Sequence, residues 1–470
     1  MERRLLLFIA ILSCFCCVLS AQPKSIIVDK ITIKGNDKTR APIILRELQF
    51  QKGDTIPFIQ LEQILEESRQ LVMNTGLFNK AHFSFLEWNG MSSKVHLLLE
   101  VVEAWYIFPV PIFELADRNF NVWWVEQNRS LDRINFGLEF THLNITGRRD
   151  KLKLNAKYGY TRNYGFAYSL PYINKKQTLG LSIDVNFARN REVNYMTLDN
   201  KQAFFQNEET EAFLFKRFRS ITGLFYRPGL RAQHEFYLSY RQNSISGEVA
   251  EQLNPDFFLG GKTLQRFFSF QYHYTYDMRD IRPYPMTGYY INFLLEKDGL
   301  GIFSDRDGLT LLGTYAKYHT LSSRWSMASE AQGKLSIIRS RQPYNDNRAL
   351  GFSRYVMRGF EYYIVDGLDM GTIKSTLRYK LFERELNFGR VMPIKAFKAM
   401  PFKIFLTLNG DVGYVNGPYV REENFLNNKL LYSGGVGINF VLYYDKVIQI
   451  NYSLNGLNEA GVFLHLNMNI

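Results

Sequence analysis

From Phe108 to Ile470, apolar and polar side chains alternate in segment after segment. In KLKLNAKYGY, Leu152, Leu154, Ala156, Tyr158 and Tyr160 fall on one side, and Lys151, Lys153, Asn155, Lys157 and Gly159 on the other. RFFSFQYHYTYDMRD sets Phe268, Phe270, Tyr272, Tyr274 and Tyr276 against Ser269, Gln271, His273, Thr275 and Asp277. FKIFLTLNGDVGY sets Phe402, Ile404, Leu406, Leu408, Val412 and Tyr414 against Lys403, Thr407, Asn409 and Asp411. The closing GVFLHLNMNI sets Val462, Leu464, Leu466, Met468 and Ile470 against Phe463, His465, Asn467 and Asn469. A period of two is that of a β-strand with one apolar face.

Which way that apolar face points depends on where the chain resides. MERRLLLFIAILSCFCCVLSAQ has Arg3 and Arg4, an apolar run, and small residues at Ser20 and Ala21, the pattern of an export signal cleaved near Ala21. Lipidation at Cys14 is disfavoured, because the residues after it are still apolar. Beyond this leader no run of about 18 apolar residues occurs, so no helix is long enough to span a bilayer. In hydrocarbon only helices and closed barrels pair every backbone polar group. Aromatics are 15% of the chain, with 29 Tyr and 38 Phe, which suits a broad surface against lipid and its interfaces. The alternation therefore reads as roughly sixteen antiparallel strands with apolar faces to lipid and polar faces to a lumen. Connections alternate between short (LNITGRRD, YINKKQ, DIRPYPMTG) and long (Arg189–Glu209, Asn243–Gln265, Ser340–Gly371). Glu383–Pro401 is long where a short turn is expected.

Residues 25–104 read differently. SIIVDKITIKGN is a strand running into a turn at Gly35-Asn36. TRAPIILREL is a short helix with Pro42 early. In GDTIPFIQLEQILEESRQLVMNTG, Leu61, Ile64, Leu65, Ser68, Leu71 and Val72 share one helical face, and Gly76 closes the helix. KAHFSFLEW and SKVHLLLEVVE are strands. The order is β-α-α-β-β, with the first strand expected to pair with the last. The expected organisation is a signal peptide over 1–21, a small α/β domain over 25–104 and a barrel over 105–470.

Enzyme chemistry finds no support. The three cysteines, Cys14, Cys16 and Cys17, all lie in the leader, so the mature chain has no disulfide, thiolate metal site or cysteine nucleophile. The seven histidines are dispersed, with no H-E-x-x-H. There is no P-loop and no G-x-S-x-G. SGGVGINF lies within an alternating strand, so Gly434, Gly435 and Gly437 serve close packing. The net charge of +12 is spread along the chain and forms no nucleic-acid-binding module.

The charges on lumen faces remain: Asp277 with Arg279 and Asp280, then Lys374, Arg378 and Lys380, then Asp411. A solvated pore lining explains most of them. Within the patternless Ser340–Gly371 segment, SRYVMRGFEYY sets Arg358 and Gly359 among Tyr355, Met357, Phe360 and Tyr362. A half-buried guanidinium there needs a carboxylate partner.

These features together resemble the BamA/TamA superfamily of outer-membrane barrels. Residues 25–104 resemble one POTRA domain, with the TGLF of Thr75–Phe78 at the helix end. YDMRD with Pro285 and Gly288 is similar to a strand-end pattern of that family. RGF at Arg358–Phe360 is similar to its [VI]RG[FY] motif, with Met357 in place of Val or Ile. The resemblance implies a sixteen-stranded barrel and a loop folded back into the lumen. Arg358 would then contact an acidic residue of the wall, Asp411 at the matching position and Asp277 in reserve. It implies a barrel seam formed by a first strand around Phe108–Leu115 and a last strand bearing Phe463, His465 and Ile470. The chain departs from the pattern in its single POTRA domain and its terminal Ile470, where Phe or Trp is usual.

The resemblance further implies a Gram-negative outer-membrane protein with its POTRA domain in the periplasm. Its role would be to insert or translocate unfolded outer-membrane clients, alongside accessory periplasmic or lipoprotein subunits and outer-membrane lipids. No cofactor, metal or nucleic acid is implied. The alternatives are a pore exporting a dedicated polypeptide or lipid, and an adhesive surface protein.

Overall fold

The structure is a computed structural model; it describes residues 24–86, 88, 93–115, 120–207, 212–303, 305–352, 355–392, 398–442 and 446–466. The leader, with Cys14, and the terminal Ile470 lie outside the described residues. The chain divides into two compact units, Met1–Ala104 and Trp105–Ile470.

The first unit contains β1 (Ser25–Lys34), α1 (Ala41–Leu45), β2 (Thr55–Pro57), α2 (Phe58–Met73), β3 (Phe78–Leu86) and β4 (Lys94–Glu103). The expected order holds, with β2 added. Pro57 restricts Ile56 to extended backbone, so Thr55–Pro57 pairs with Ser25–Ile27 and the helix starts only at Phe58. The sheet order is β2-β1-β4-β3, with β1 and β4 parallel. On α2, Leu61, Ser68, Leu71 and Val72 are buried, as are Ile26, Val28, Ile44, Leu97 and Leu99 of the same unit. Gly35 has φ +87°, and a Cβ there would lie 2.0 Å from the Val101 carbonyl oxygen, so the turn after β1 requires glycine. One sheet edge is the three-residue β2; the other is the nine-residue β3, paired on one side only.

The second unit begins with β5 (Ile107–Leu115), β6 (Ile134–Leu143), β7 (Lys151–Gly159), β8 (Thr161–Leu170) and β9 (Leu179–Asn190). β10 (Glu192–Leu198), β11 (Lys201–Gln206), β12 (Phe215–Tyr226), β13 (Ala232–Ile245) and β14 (Leu264–Asp277) follow. Next come β15 (Gly288–Asp298), β16 (Gly308–Thr320), β17 (Trp325–Ser336), β18 (Arg348–Leu350) and β19 (Val365–Asp366). The chain closes with β20 (Asp369–Asn387), β21 (Ala399–Asn416), β22 (Leu430–Val441), β23 (Val447–Asn455) and β24 (Ala460–Leu466). β10–β11 and β18–β19 are ribbons within long connections; the other strands form one 16-stranded sheet running from β24 to β5. The sheet is inverted relative to a soluble sandwich. Thr407, Asn409 and Asp411 on β21 are buried, while Leu406, Leu408 and Val412 between them are exposed. Apolar residues face lipid and polar residues face the lumen. No helix among the described residues is long and apolar enough to cross a membrane; the crossing elements are strands.

Call the end where Trp105 leads into β5 the near end. Both ends of the long segment Glu383–Pro401 are strand. β20 runs to Asn387 and β21 begins at Ala399, extending past lipid as a long hairpin. Lys380, opposite the buried Phe405, keeps the parity of Lys374 and Arg378, and the register shifts only beyond it, between Lys380 and Phe382.

At the far end the long connections pack on one another. Val193, Phe215, Ile245, Val249, Phe257 and Phe258 share one apolar cluster. Asn200, fully buried, sits at the β10–β11 turn after Asp199, both with positive φ, as a two-residue hairpin of type I′ requires. Its Oδ1 accepts from Leu426 N (2.8 Å), its Nδ2 donates to Ile364 O (3.1 Å) and its carbonyl accepts from Ile364 N (2.8 Å). One side chain thus ties three far-end connections together. Asn200→Ala leaves those buried groups unpaired and strains a left-handed turn. The expected cost is roughly 2–4 kcal/mol, read as faster proteolysis of the far-end loops.

Candidate functional site: a loop anchored on the lumen wall beside the barrel seam

The connection from β17 to β20, residues 337–368, folds into the lumen and places Arg358 on the wall. The Arg358 Nε donates to Asp411 Oδ2 (2.9 Å) and Oδ1 (3.1 Å), its Nη2 also pairs with Oδ1, and its backbone N–H donates to Oδ2 (3.1 Å). Nη1 donates to Thr376 Oγ1 (2.8 Å) and Asn409 Oδ1 (2.5 Å). Nη2 also reaches the Ser375 carbonyl (3.3 Å). The side chains are 16% and 1% exposed respectively. Period-two register puts these partners in place, because Lys374 lies opposite Asp411 and Thr376 opposite Asn409. Glu330 on β17 lies opposite Lys374 and pairs with it at 3.6 Å. The wall therefore carries a row of alternating sign, Glu330, Lys374, Asp411, and Arg358 completes it. Desolvated charges persist only when so compensated.

Gly359 has φ +80°, and a Cβ on it would lie 3.2 Å from Ser433 Cβ and 3.4 Å from Asn455 Cβ. Its carbonyl accepts from Asn455 Nδ2 (2.8 Å). Both the left-handed backbone and the approach to the wall need glycine. Phe360 and Met357 are buried in one cluster with Leu350, Val365, Met370 and Val415, and Tyr355 and Tyr362 pack against it.

The loop continues to the last strand. His465 Nε2 lies 3.2 Å from Glu361 Oε1, with both residues buried. The Tyr362 and Phe463 rings meet at 5.6 Å, and Tyr363 Oη donates to Glu459 (2.8 Å). Asn121, which follows β5, donates from Nδ2 to Tyr362 Oη (3.3 Å) and to the Val462 carbonyl (2.7 Å). The structure thus brings Arg358–Phe360 and the seam residues Phe463 and His465 together through Glu361 and Tyr362. Sequence reasoning missed Glu361 and Asn121 as contacts.

Asp277 is committed elsewhere. It takes Arg279 in a two-point pair (Nε–Oδ1 2.8 Å, Nη2–Oδ2 2.9 Å) and also Arg282 (2.9 Å). The reserve partner for Arg358 is therefore replaced by Asp411 alone. Asp280 Oδ1 accepts from Met286 N (3.1 Å), shaping the near-end turn, and Tyr284 from that turn lies over the buried Arg378 (4.2 Å).

The seam itself is underpaired. Leu143 N donates to Tyr106 O, so even-numbered residues of β5 bond to β6, and odd-numbered ones face away from it. Pro109 and Pro111 are odd and have no N–H. By the same parity, Asn455 N bonding Glu459 O turns Val462, Leu464 and Leu466 toward the seam. There the Val462 carbonyl is taken by Asn121 rather than by a β5 amide. Among the described residues no backbone pairing joins β5 to β24.

In the loop ribbon, burial pushes the Asp366 carboxyl up to about 6, against the opposing pull of a Thr197 hydrogen bond and the charges of Arg348 and Lys334. The raised folded-state value means a stabilising contribution that is fully present below the ordinary aspartate range. It is lost as pH rises through about 6. The ribbon is expected to be held more tightly at pH 5 than at pH 8, by about 1.4 kcal/mol. Asp366→Asn should flatten that dependence in pH-stepped hydrogen exchange of the loop.

A wall-anchored loop inside a sixteen-stranded lipid-facing barrel defines an outer-membrane-type scaffold. Comparison with known proteins agrees. Residues 144–367 match the Omp85 superfamily domain, and residues 26–104 match the POTRA family described as surface antigen variable number repeat. The chain carries an Omp85 superfamily domain and one POTRA domain. That family's role is outer-membrane insertion or translocation, and its members are not enzymes. Among solved structures, BamA from Haemophilus ducreyi lacking POTRA domains 1–3 is similar at TM-score 0.51 and 14% identity, over 94% of this chain and 84% of that one. CdiB from Escherichia coli is similar at TM-score 0.56 and 11% identity, over 94% and 75%. No curated protein sequence matches the chain.

Proposed function

We propose that this protein is an insertion factor of the BamA/TamA type. It works in the outer membrane after cleavage of its leader over 1–21, with residues 25–104 in the periplasm and residues 105–470 as the barrel. Unfolded outer-membrane proteins are its clients, and accessory periplasmic or lipoprotein subunits assist. The free edge of β3 takes an extended client segment by strand addition. The client then pairs at the β5–β24 seam, because an edge with unmet hydrogen-bond groups recruits a strand.

The observation that carries this reading is the proline-blunted seam. Pro109 and Pro111 offer no donors to β24, so closure is weak, and a client strand with a full set of amides pairs better than β5 does. Arg358, Gly359 and Phe360, anchored on Asp411, hold Glu361 and Tyr362 against His465 and Phe463. The loop thereby supports the last strand while its neighbour is exchanged. Arg279 and Asp280 keep the near-end turn in place. Depleting the protein in its native cell should lower the folded amounts of other outer-membrane proteins; unchanged amounts would exclude the reading.

A second reading, translocation of a dedicated polypeptide through the lumen, is favoured by one observation. Lys153 and Glu139, and Arg219 and Asp184, form pairs on the inner wall that are 36–48% exposed, unlike the buried polar wall beneath the loop. The wall around these pairs is open to water. Stable open-channel conductance of the purified protein in planar bilayers would favour this reading over insertion.

A further inference from the structure

The outer wall carries a cationic row that neither the loop nor the seam uses. On β8 and β9, Tyr164 lies opposite Phe187, Phe166 opposite Val185 and Tyr168 opposite Ile183. Phe166, Ile183 and Phe187 are 44%, 43% and 37% exposed, so this face is the lipid face. The next rung toward the far end is Arg162 opposite Arg189, and Arg189 lies opposite Lys216 of β12. Three cations therefore stand side by side across three neighbouring strands. The Phe213 ring lies against the two arginines of the row, with the guanidinium carbons of Arg162 and Arg189 at 5.0 and 4.2 Å from its centroid, and that of Arg191 at 5.6 Å.

Like charges directly opposite one another destabilise a sheet. Among the described residues no carboxylate lies within ion-pair distance of Arg162, Arg189 or Lys216. Glu192 is committed to Arg133 and Tyr160, and Asp184 to Arg219 on the inner face. Glu208, Glu209 and Glu211 lie outside the described residues. The Arg189 Nε is buried with no hydrogen-bond partner. One rung inward, Tyr158 meets Tyr164 at 5.6 Å and Phe218 meets Tyr240 at 6.2 Å, in the manner of the aromatic girdle that marks headgroup depth in such barrels.

We propose that Arg162 and Arg189, stacked on Phe213, and the neighbouring Lys216 bind the phosphate of an anionic lipid headgroup in the leaflet at the far end. A phosphate presents the acceptor oxygens that a guanidinium fork matches, and it supplies a counter-charge that the row lacks among the described residues. The acyl chains would lie over Phe166, Ile183 and Phe187. Assigning that leaflet as the outer one rests on the orientation proposed above; phosphate binding by the purified protein does not.

The test uses the full-length protein in detergent, with native mass spectrometry and added diphosphoryl lipid A, dephosphorylated lipid A, or inorganic phosphate alone. The expected result is retention of the diphosphoryl form only. At about 1 kcal/mol per basic residue, Arg189→Gln should weaken retention roughly fivefold. By the same measure, the triple variant Arg162→Gln, Arg189→Gln, Lys216→Gln should weaken it on the order of a hundredfold. If the triple variant does not reach the compact form on semi-native gels, Arg189→Gln and the charge-keeping Arg189→Lys carry the comparison, with Lys retaining the lipid and Gln losing it. Equal retention by wild type and charge-removed variants overturns the site. Inorganic phosphate displacing the lipid at equal concentration overturns its assignment to a lipid. Neither readout involves client folding, so failure here and failure of the insertion reading are separately visible.

Discussion

Arg358→Ala is expected to release the 337–368 loop from the wall without unfolding the barrel. The substitution strands Asp411, 1% exposed, and leaves Thr376 and Asn409 facing an empty site. Removing one partner of a buried pair costs about 3–5 kcal/mol. Lys374, opposite Asp411, offsets part of this, so the lower end applies. Even 3 kcal/mol exceeds what holds most loops in place, whereas the sixteen-strand ladder is untouched. Hydrogen exchange in residues 355–366 should rise by about two orders of magnitude, and client insertion should fall with it. Asp411→Asn keeps the shape and should cost less. A double-mutant cycle isolates the pair, and a coupling near zero would remove the wall anchor from the mechanism.

Pro109→Ala with Pro111→Ala is expected to close the barrel more tightly and slow insertion. Each substitution restores one amide on the β5 edge that faces β24. A net hydrogen bond is worth about 1 kcal/mol, so two should shift the seam by about 2 kcal/mol, roughly a thirtyfold fall in the open population. The variant should be more heat-resistant yet less active, a pairing that ordinary destabilisation does not produce. A stabilised variant that inserts clients at the wild-type rate would show that the seam does not open during the reaction.

The reach of sequence reasoning differed among these parts for physical reasons. The barrel was legible because period-two alternation is local, and because hydrocarbon leaves only one closed solution to a chain without apolar helices. The α2 face was legible for a similar reason: its 3.6-residue period is written within sixteen residues. β2 was missed because three residues are too few to show a period, although Pro57 marked Ile56 as extended. The long Glu383–Pro401 segment was read as a connection because its strand residues, Glu383–Asn387 and Ala399–Pro401, do not alternate apolar with polar side chains where the hairpin leaves the membrane. Pro109 and Pro111 lay in view within IFPVPIFEL, but which way a missing amide points depends on register, and register belongs to the pair of strands.

The contacts of the site are of the second kind. Glu361 meets His465 across 104 residues of chain, and Asn121 meets Val462 across 341. The sequence by itself determined a lipid-facing barrel of alternating strands, set a small α/β module before it, and placed an arginine where a buried carboxylate must answer. Tertiary structure alone decided that Asp411 answers while Asp277 is held by Arg279 and Arg282. It alone decided that the anchored loop ends against the last strand, and that three cations share one lipid-facing rung. Periodicity is a property of neighbours along the chain, whereas a partner is chosen by register and by how a loop folds back across the lumen.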